Sequence, residues 1–419
     1  MISAQNHRPP LSGNKWLLFA AIALLAGACS PKLQPAPVAV KPAPVPPPVI
    51  QAKPVEKPVA KPAPKVAKIA MLLPFGLDNL YPGNEYNAAD LEQANMALDY
   101  YQGFKLALDS LTAQGYNFRV QLFDTKDRPA QAHALALNPQ IKGSDLVVGP
   151  VFAEDIKPFA ATSLSNHKPE LSPLAPSEPS LFKNPNLITV MPPLDCHAWA
   201  SAAYVNNNIK PQKVFVLKSG YSDENNYIAP FKKAIDSLSK KRIIMVPVSV
   251  IHGNLAGIVP QLSATKTNVF VVPATDQTFL NVTLKSLDTL SRHYPIAVIG
   301  HPMWAKFAFL NADLLQRINA YVTSSDQIDY KSASMRSFMV SYRNVYHINA
   351  SDYAIKGFDE GLYFGKLLAM DNTSLTHLDK NNFVGLHNSF QFAYRPGLGW
   401  VNTHVGLYQY ANFELKPVQ

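Results

Sequence analysis

From Val66 onward, short apolar runs alternate with longer amphipathic segments, and this alternation restricts the fold more than any other feature. The run Val66–Leu73 predicts a buried strand, and the apolar spacing from Leu91 to Leu111 predicts a long helix. The same order then repeats along the chain. A βαβα series predicts parallel sheets with helices on both faces. We therefore expect an α/β protein with two lobes, because two such series follow one another.

The remaining elements follow from the same periodicity. Strands are predicted at 118–123, 144–149, 169–172, 187–191, 213–217, 242–250, 268–272, 295–299 and 320–323. Helices are predicted at 130–137, 151–165, 195–207, 225–238, 255–262, 277–290, 333–344 and 353–370. At the C-terminus, strands at 390–392 and 405–415 flank a turn at 396–399.

The positive charge of the chain is concentrated near its N-terminus. The formal net charge is +9, of which residues 1–28 contribute +2 and residues 29–70 contribute +6. The rest of the chain is therefore close to neutral. Nucleic-acid binding needs clustered positive charge on a folded surface, so no nucleic-acid partner is expected. Twelve prolines between Pro31 and Pro64 predict an extended polyproline tether with a reach on the order of 100 Å.

The first residues have the pattern of a secretory signal. Arg8 and Lys15 precede an apolar run that is too short to span a bilayer, and the run ends in Ala26, Gly27 and Ala28 before Cys29. Small residues before a cysteine resemble the lipobox of bacterial lipoproteins, which implies lipidation of Cys29. The chain is then anchored to the bilayer. The alternative is an ordinary signal peptide that leaves a soluble periplasmic protein.

Common enzyme motifs are absent from the sequence. We find no G-x-S-x-G, C-x-x-C or H-E-x-x-H pattern and no glycine-rich phosphate loop, so no enzymatic activity and no cofactor or metal is predicted. Cys196 and His197 are neighbours in sequence, but a catalytic pair is assembled in space. A buried thiol is the preferred interpretation of Cys196.

Six segments, taken in order, resemble the type 1 periplasmic binding proteins of the leucine and branched-chain amino-acid group. They are VAKIAMLLPF, ALDYYQGFKLALDSL, DLVVGPVFAEDIKPFA, KVFVLKSGYSDEN, TNVFVVPATDQ and PIAVIGHPMW. The leader pattern and the proline-rich composition predict a signal peptide at 1–28 and a tether at 29–65, and the resemblance implies a binding-protein-like domain at 66–419. Lobe one is expected at about 66–192 and 324–372, and lobe two at about 193–323 and 373–419.

Open α/β sheets bind ligands at the carboxyl ends of their strands, so the loops after the strands are the candidate site. The predicted ligand-binding residues in these loops are Phe75, Phe152, Ala153, Ala175, Pro176, Ser177, Tyr221, Ser222, Asp276 and His301. By resemblance, Ala153 and residues 175–177 take the place of donors to a ligand carboxylate, and Asp276 or His301 takes that of the partner of an ammonium group. Helix capping by Asp276, and a bond from His301 to its own backbone, are the alternatives.

These observations lead to two functional hypotheses. The first is a lipoprotein whose cleft binds a small polar ligand, amino-acid or peptide-like. The second is a ligand-free interaction protein that regulates cell-wall (peptidoglycan) synthesis through an envelope protein. The second is favoured by Pro176, which has no N–H to donate, and by the absence of a serine-rich loop around Ala153. Both hypotheses place the protein in the outer membrane facing the periplasm, with peptidoglycan along the lysine-rich tether as a further candidate contact.

Overall fold

The computed structural model describes residues 65–80, 87–175, 178–370 and 374–418. The predicted signal peptide, Cys29 and the predicted tether except for its last residue, Lys65, lie outside the described residues. The strands are β1 (Val66–Leu73), β2 (Asn117–Asp124), β3 (Leu146–Val148), β4 (Glu170–Ser172), β5 (Leu187–Thr189), β6 (Lys213–Lys218), β7 (Ile244–Ser249), β8 (Asn268–Val272), β9 (Ile296–Gly300), β10 (Ala320–Ser324), β11 (Phe383–Val384), β12 (Ser389–Phe390), β13 (Phe392–Arg395), β14 (Gly399–Asn402), β15 (Gly406–Ala411) and β16 (Glu414–Pro417).

The α-helices follow the predicted order. They are α1 (Ala88–Thr112), α2 (Pro129–Ala136), α3 (Pro139–Lys142), α4 (Ala153–Ser163), α5 (Leu194–Tyr204), α6 (Asn225–Leu238), α7 (Gln277–Ser291), α8 (Ala312–Arg317), α9 (Ala333–Tyr346) and α10 (Asp352–Met370). Two short helices, α3 and α8, are additions that the sequence does not predict. The segment predicted as a helix at 255–262 is instead a 3-10 helix, Ala256–Gln261, which contains Pro260. Proline removes a backbone donor and so disfavours a regular α-helix there.

Two seven-stranded sheets form the two lobes. The strand order is β13-β14-β5-β4-β3-β1-β2 in the first sheet and β16-β15-β10-β9-β8-β6-β7 in the second. Most neighbouring strands are parallel, and the antiparallel pairs lie at the C-terminal additions to each sheet. The predicted two-lobed α/β fold is therefore confirmed. β11 and β12 form a separate two-stranded sheet.

Each large sheet is buried on both faces, as expected for parallel strands covered by helices. In β1, Met71 and Leu73 pack with α1 and α10, whereas Ala70 and Leu72 pack with α2 and α4 on the opposite face. Successive residues of a strand point to opposite faces, so one continuous apolar run supplies two cores. The second sheet is covered in the same way on its two faces.

The C-terminal segment differs from the expectation. The sequence predicts residues 373–419 in lobe two, but β13 and β14 join the first sheet, where Trp400 pairs with Ile188. Only β15 and β16 join the second sheet, and Tyr321 pairs with Gln409 there. The run from 405 to 415 is two strands rather than one, because Asn412 and Phe413 both have positive φ and make a turn. The chain therefore crosses between the lobes three times, at 190–193, 325–332 and 403–405.

Helices α1 and α10 approach each other closely enough for their backbones to touch. A Cβ built on Gly357 falls 2.1 Å from the carbonyl oxygen of Tyr100, and one built on Gly103 falls 1.9 Å from that of Ala354. These obstacles are backbone atoms, so they cannot move aside as a flexible side chain does. Glycine at these positions sets the distance between the two helices.

We expect Gly357→Ala to lower the free energy of unfolding by about 1–3 kcal/mol, because the added methyl group forces the helices apart. The measurement is urea unfolding followed by circular dichroism. Gly257→Ala is the matched control, since a Cβ at Gly257 meets nothing within 4 Å. Equal stability of the two variants would contradict the backbone contact described for α1 and α10.

Candidate functional site

The loops after β6 and β8 enclose a cavity in lobe two. These strands pair directly, so their carboxyl ends lie side by side. The cavity has a volume of about 260 Å³. Two of the sequence-predicted residues, Tyr221 and Asp276, line it together. The other lining residues are Ser219, Asp223, Glu224, Ala274 and Thr275, and Ser222 lies in the same loop between Tyr221 and Asp223.

The cavity in lobe two is acidic. Three of its lining residues, Asp223, Glu224 and Asp276, carry carboxylates, and within the part of the chain that the structure describes no lysine or arginine lines it. Both carboxylate oxygens of Glu224 accept the backbone N–H of Ser219, at 3.0 and 3.2 Å. The Glu224 side chain is therefore held within the loop. Asp223 is exposed and Asp276 is partly buried, so these two carboxylates remain within reach of a bound molecule.

Asp276 also caps a helix. Its Oδ1 accepts the backbone N–H of Phe279 at 2.7 Å, at the N-terminus of α7. The capping alternative given for this residue is confirmed. An N-cap aspartate stabilises its helix by about 1 kcal/mol. The cap uses Oδ1, and the carboxylate charge remains at the cavity.

His301 follows β9 and is bonded to its own loop. Its Nδ1 accepts the N–H of Met303 at 3.1 Å and caps the 3-10 helix Pro302–Lys306. Burial lowers the pKa of His301 to about 4, so its imidazole is neutral at pH 7. The alternative of a histidine bonded to its own backbone is confirmed. Because Nδ1 is the acceptor for Met303, the other nitrogen of the neutral ring carries the proton and cannot accept from an ammonium group.

The predicted residues of lobe one serve mainly as packing residues. Phe75 and Phe152 lie against the core of the first sheet, and Ala153 begins α4, whose N-cap residue Phe152 makes no side-chain capping bond. Ala175 is partly buried, and Pro176 and Ser177 lie outside the described residues.

The first turn of α4 carries Glu154 and the buried Asp155. Burial, and then the nearby Asp127, raises the pKa of Asp155 to about 6. A helix N-terminus favours anions, but this one already holds acidic side chains. It is therefore a weak receptor for a ligand carboxylate.

A second polar cluster, which no sequence motif indicates, lies where the lobes join. Asp359 of α10 is buried and accepts a bond from Nδ1 of His387 at 2.6 Å. Next to it, His387 and Asn388 line a cavity of about 240 Å³. The one signal in the sequence is the acidic pair Asp359 and Glu360 within a largely apolar helix, and helical periodicity alone does not separate this pair from surface acids.

Cys196 and His197 are both buried but do not form a catalytic pair. Burial and the neighbouring Asp195 raise the pKa of Cys196 to about 12, so the thiol stays protonated, as the preferred interpretation requires. His197 is bonded through Nδ1 to the hydroxyl of Thr323 at 3.0 Å. Within the described ranges, no group of three or more His, Cys, Asp or Glu is placed to hold a metal ion. No helix there has the length and apolarity to cross a bilayer.

Comparison with solved structures identifies the fold as that of type 1 periplasmic binding proteins, which confirms the resemblance at the level of fold. The chain is similar to an ABC transporter substrate-binding protein from Desulfitobacterium hafniense solved in complex with Leu, with 16% identity, a TM-score of 0.54 and coverage of 84% of this chain and 100% of that one. Comparison with family models and with curated protein sequences finds no match.

Two further structures show the same likeness. A protein described as a branched-chain amino acid ABC transporter from Rhodospirillum rubrum is 14% identical, with a TM-score of 0.59 and coverage of 84% of this chain and 100% of that one. LpoA from Haemophilus influenzae is also 14% identical, with a TM-score of 0.55, and 59% of its chain is covered against 84% of this one. At these identities the comparisons define the fold and leave the ligand open.

The buried His197 makes stability depend on pH. Burial, and then the nearby His301, lowers the pKa of His197 to about 4 in the folded protein, against about 6.5 in the unfolded chain. Below pH 6.5 the unfolded state therefore binds a proton that the folded state does not. Protonation of His197 in the unfolded state therefore lowers the free energy of unfolding by about 2 kcal/mol at pH 5 relative to pH 7.5.

We expect His197→Asn to lose less stability than the wild type between pH 7.5 and pH 5. The measurement is urea unfolding at both pH values. His293→Asn, which changes an exposed histidine of the same lobe, is the control and should follow the wild type. The same pH dependence in all three proteins would contradict the assignment to His197.

Proposed function

We propose that the domain binds a small polar ligand with a protonated amine, amino-acid or peptide-like, in the cleft between the lobes. The observation that supports this most is the acidic cavity after β6 and β8, where Asp223 and Asp276 remain within reach of a ligand. A buried ammonium group needs a carboxylate partner, because an unpaired charge is costly to remove from water. A fold neighbour solved in complex with Leu supports the same class of ligand.

The second candidate is an interaction protein that regulates cell-wall synthesis without a ligand. The acidic first turn of α4 favours it, because Glu154 and Asp155 stand where a zwitterion would need donors for its carboxylate. In this form the fold presents a surface to an envelope protein, such as a peptidoglycan synthase. The two candidates differ in whether the carboxylate of Asp276 binds a ligand.

We further propose that lipidated Cys29 anchors the protein in the outer membrane, facing the periplasm. The support is the run of small residues before Cys29 and the proline-rich segment after it. Seven lysines between residues 29 and 70 give this segment its charge, which suits contact with anionic cell-wall polymer.

The ligand hypothesis is tested by a thermal-shift screen of the full-length protein, purified in detergent, against amino acids and short peptides. A ligand at 100 times its dissociation constant stabilises by about 2.7 kcal/mol. We expect Asp276→Asn to abolish the shift and to keep the melting temperature of the free protein, since asparagine caps a helix as well as aspartate does.

Asp236→Asn is the matched control, because Asp236 lies in lobe two but pairs with Lys232 on the surface of α6. It should keep the ligand-induced shift. A screen in which no compound shifts the melting temperature, together with direct binding of a purified peptidoglycan synthase, would replace the ligand hypothesis by the second candidate.

The anchor is tested by metabolic labelling with palmitate. We expect Cys29→Ser to abolish labelling and to release the protein into the soluble fraction, because the lipid is attached through the thiol. Cys196→Ser changes the other cysteine of the chain and should label like the wild type. Labelling of the Cys29→Ser variant would contradict the proposed anchor.

A further inference from the structure

A groove of about 500 Å³ lies at the amino ends of the parallel strands of lobe one. Pro169 and Pro185 line it from the loops before β4 and β5, Ile188 and Trp400 from β5 and β14, and Leu375 from the segment after α10. Open α/β sheets bind their ligands at the carboxyl ends of the strands, so this groove lies at the opposite edge of the sheet. It shares no lining residue with the acidic cavity of lobe two, and we call it the aromatic groove.

Two aromatic rings of one hairpin line the aromatic groove. Tyr394 of β13 and Trp400 of β14 are directly paired across the strands, and their ring centroids lie 5.2 Å apart with an interplanar angle of 63°. Tyr394 is 49% exposed and Trp400 is partly buried. A Cβ on Gly399 would fall 2.1 Å from the carbonyl oxygen of Leu187, so glycine is what lets this hairpin lie so close to β5. The two rings are therefore positioned by the sheet before any ligand binds.

Accessible polar side chains line the same groove. His167, His377 and Asp379 are exposed, and their side chains make no hydrogen bond or ion pair with other described residues. Thr376 adds a hydroxyl group, whereas Nδ2 of Asn186 is buried and takes no part in the argument. A neutral imidazole both donates and accepts a hydrogen bond, and a carboxylate accepts. A molecule in the groove thus meets donors and acceptors on side chains that it can reach.

Aromatic rings beside such donors and acceptors select the class of ligand. A pyranose ring has apolar C–H groups on its faces, which pack against an aromatic ring, and hydroxyl groups around its edge, which both donate and accept. An anion is disfavoured, because Asp379 repels it and no lysine or arginine is among the described lining residues. A quaternary ammonium ion suits a carboxylate and an aromatic face, but it forms no hydrogen bond with the imidazoles.

From this arrangement we infer that the aromatic groove binds a neutral carbohydrate of one or two pyranose rings. One sugar ring packs on Tyr394, and its hydroxyl groups bond to Asp379 and to the two imidazoles. The volume of the groove lies within the 300–1,000 Å³ typical of small-molecule sites. This site is additional to the amine site proposed above, and the two ligands bind at separate places on the protein.

The test is isothermal titration calorimetry of the full-length protein with cellobiose, maltose and N,N′-diacetylchitobiose. We expect at least one of these disaccharides to bind, and Tyr394→Ala to weaken that binding about tenfold, because the sugar loses the ring on which it packs. Asp379→Asn should weaken binding several-fold, since the amide has one acceptor oxygen where the carboxylate has two. Circular dichroism melting checks that each variant is folded.

Tyr353→Ala and Asp236→Asn are the matched controls. Tyr353 is an exposed tyrosine of α10 and Asp236 an aspartate on the surface of α6, and neither lines the aromatic groove. Both variants should bind the sugar as the wild type does.

The inference is overturned if none of the three disaccharides binds, or if the folded Tyr394→Ala and Asp379→Asn variants bind as the wild type does. Equal weakening by the control variants would also overturn it. Choline is titrated for comparison, and binding of choline without any sugar would replace the carbohydrate site by a cation site. The amine screen proposed above concerns the other cavity and is independent of these outcomes.

Discussion

The buried amide of Asn402 determines how the two lobes are joined. Its Nδ2 donates to the carbonyl oxygens of Val190 and Ser389 at 3.0 and 3.2 Å, and its Oδ1 accepts the N–H groups of Gln391 and His404. One fully buried side chain thus hydrogen-bonds to Val190 in the first crossing and to His404 in the third. The second crossing is held separately, by the ion pair between Asp326 and Lys356 at 3.2 Å. Although burial raises the pKa of Asp326, Lys356 and Lys306 lower it to about 2, so the Asp326 carboxylate stays charged across the physiological range.

Most of the fold could be predicted from the sequence, because apolar runs of strand length and amphipathic runs of helix length differ in period. The strands Val66–Leu73 and Asn268–Val272 and the helix Asn225–Leu238 have the predicted bounds. The C-terminal hairpins show where this reasoning stops. Their alternation identifies strands, but which sheet a strand joins depends on a tertiary contact, such as that between Trp400 and Ile188, and the local pattern does not encode it.

The candidate site was predicted only in part, for a related reason. The rule that ligands bind after parallel strands located Tyr221 and Asp276, because it depends on topology alone. The role of a polar residue depends on what lies opposite it in space. His301 and Asp276 use backbone N–H groups of their own loops, whereas Asp359 and His387 are 28 positions apart in the chain and meet only after folding. Sequence periodicity does not predict which distant residues form such pairs.

The late strands also affect how the protein is made. The last 28 described residues, from Gln391 to Val418, supply β13 and β14 to one sheet and β15 and β16 to the other. Neither lobe is complete until the end of the chain has emerged, and before that β5 and β10 present unpaired edges that invite pairing with other chains. A nascent or truncated chain is therefore prone to aggregate through the exposed strand edge of each lobe. A chain that is exported unfolded and folds after synthesis is complete avoids this hazard.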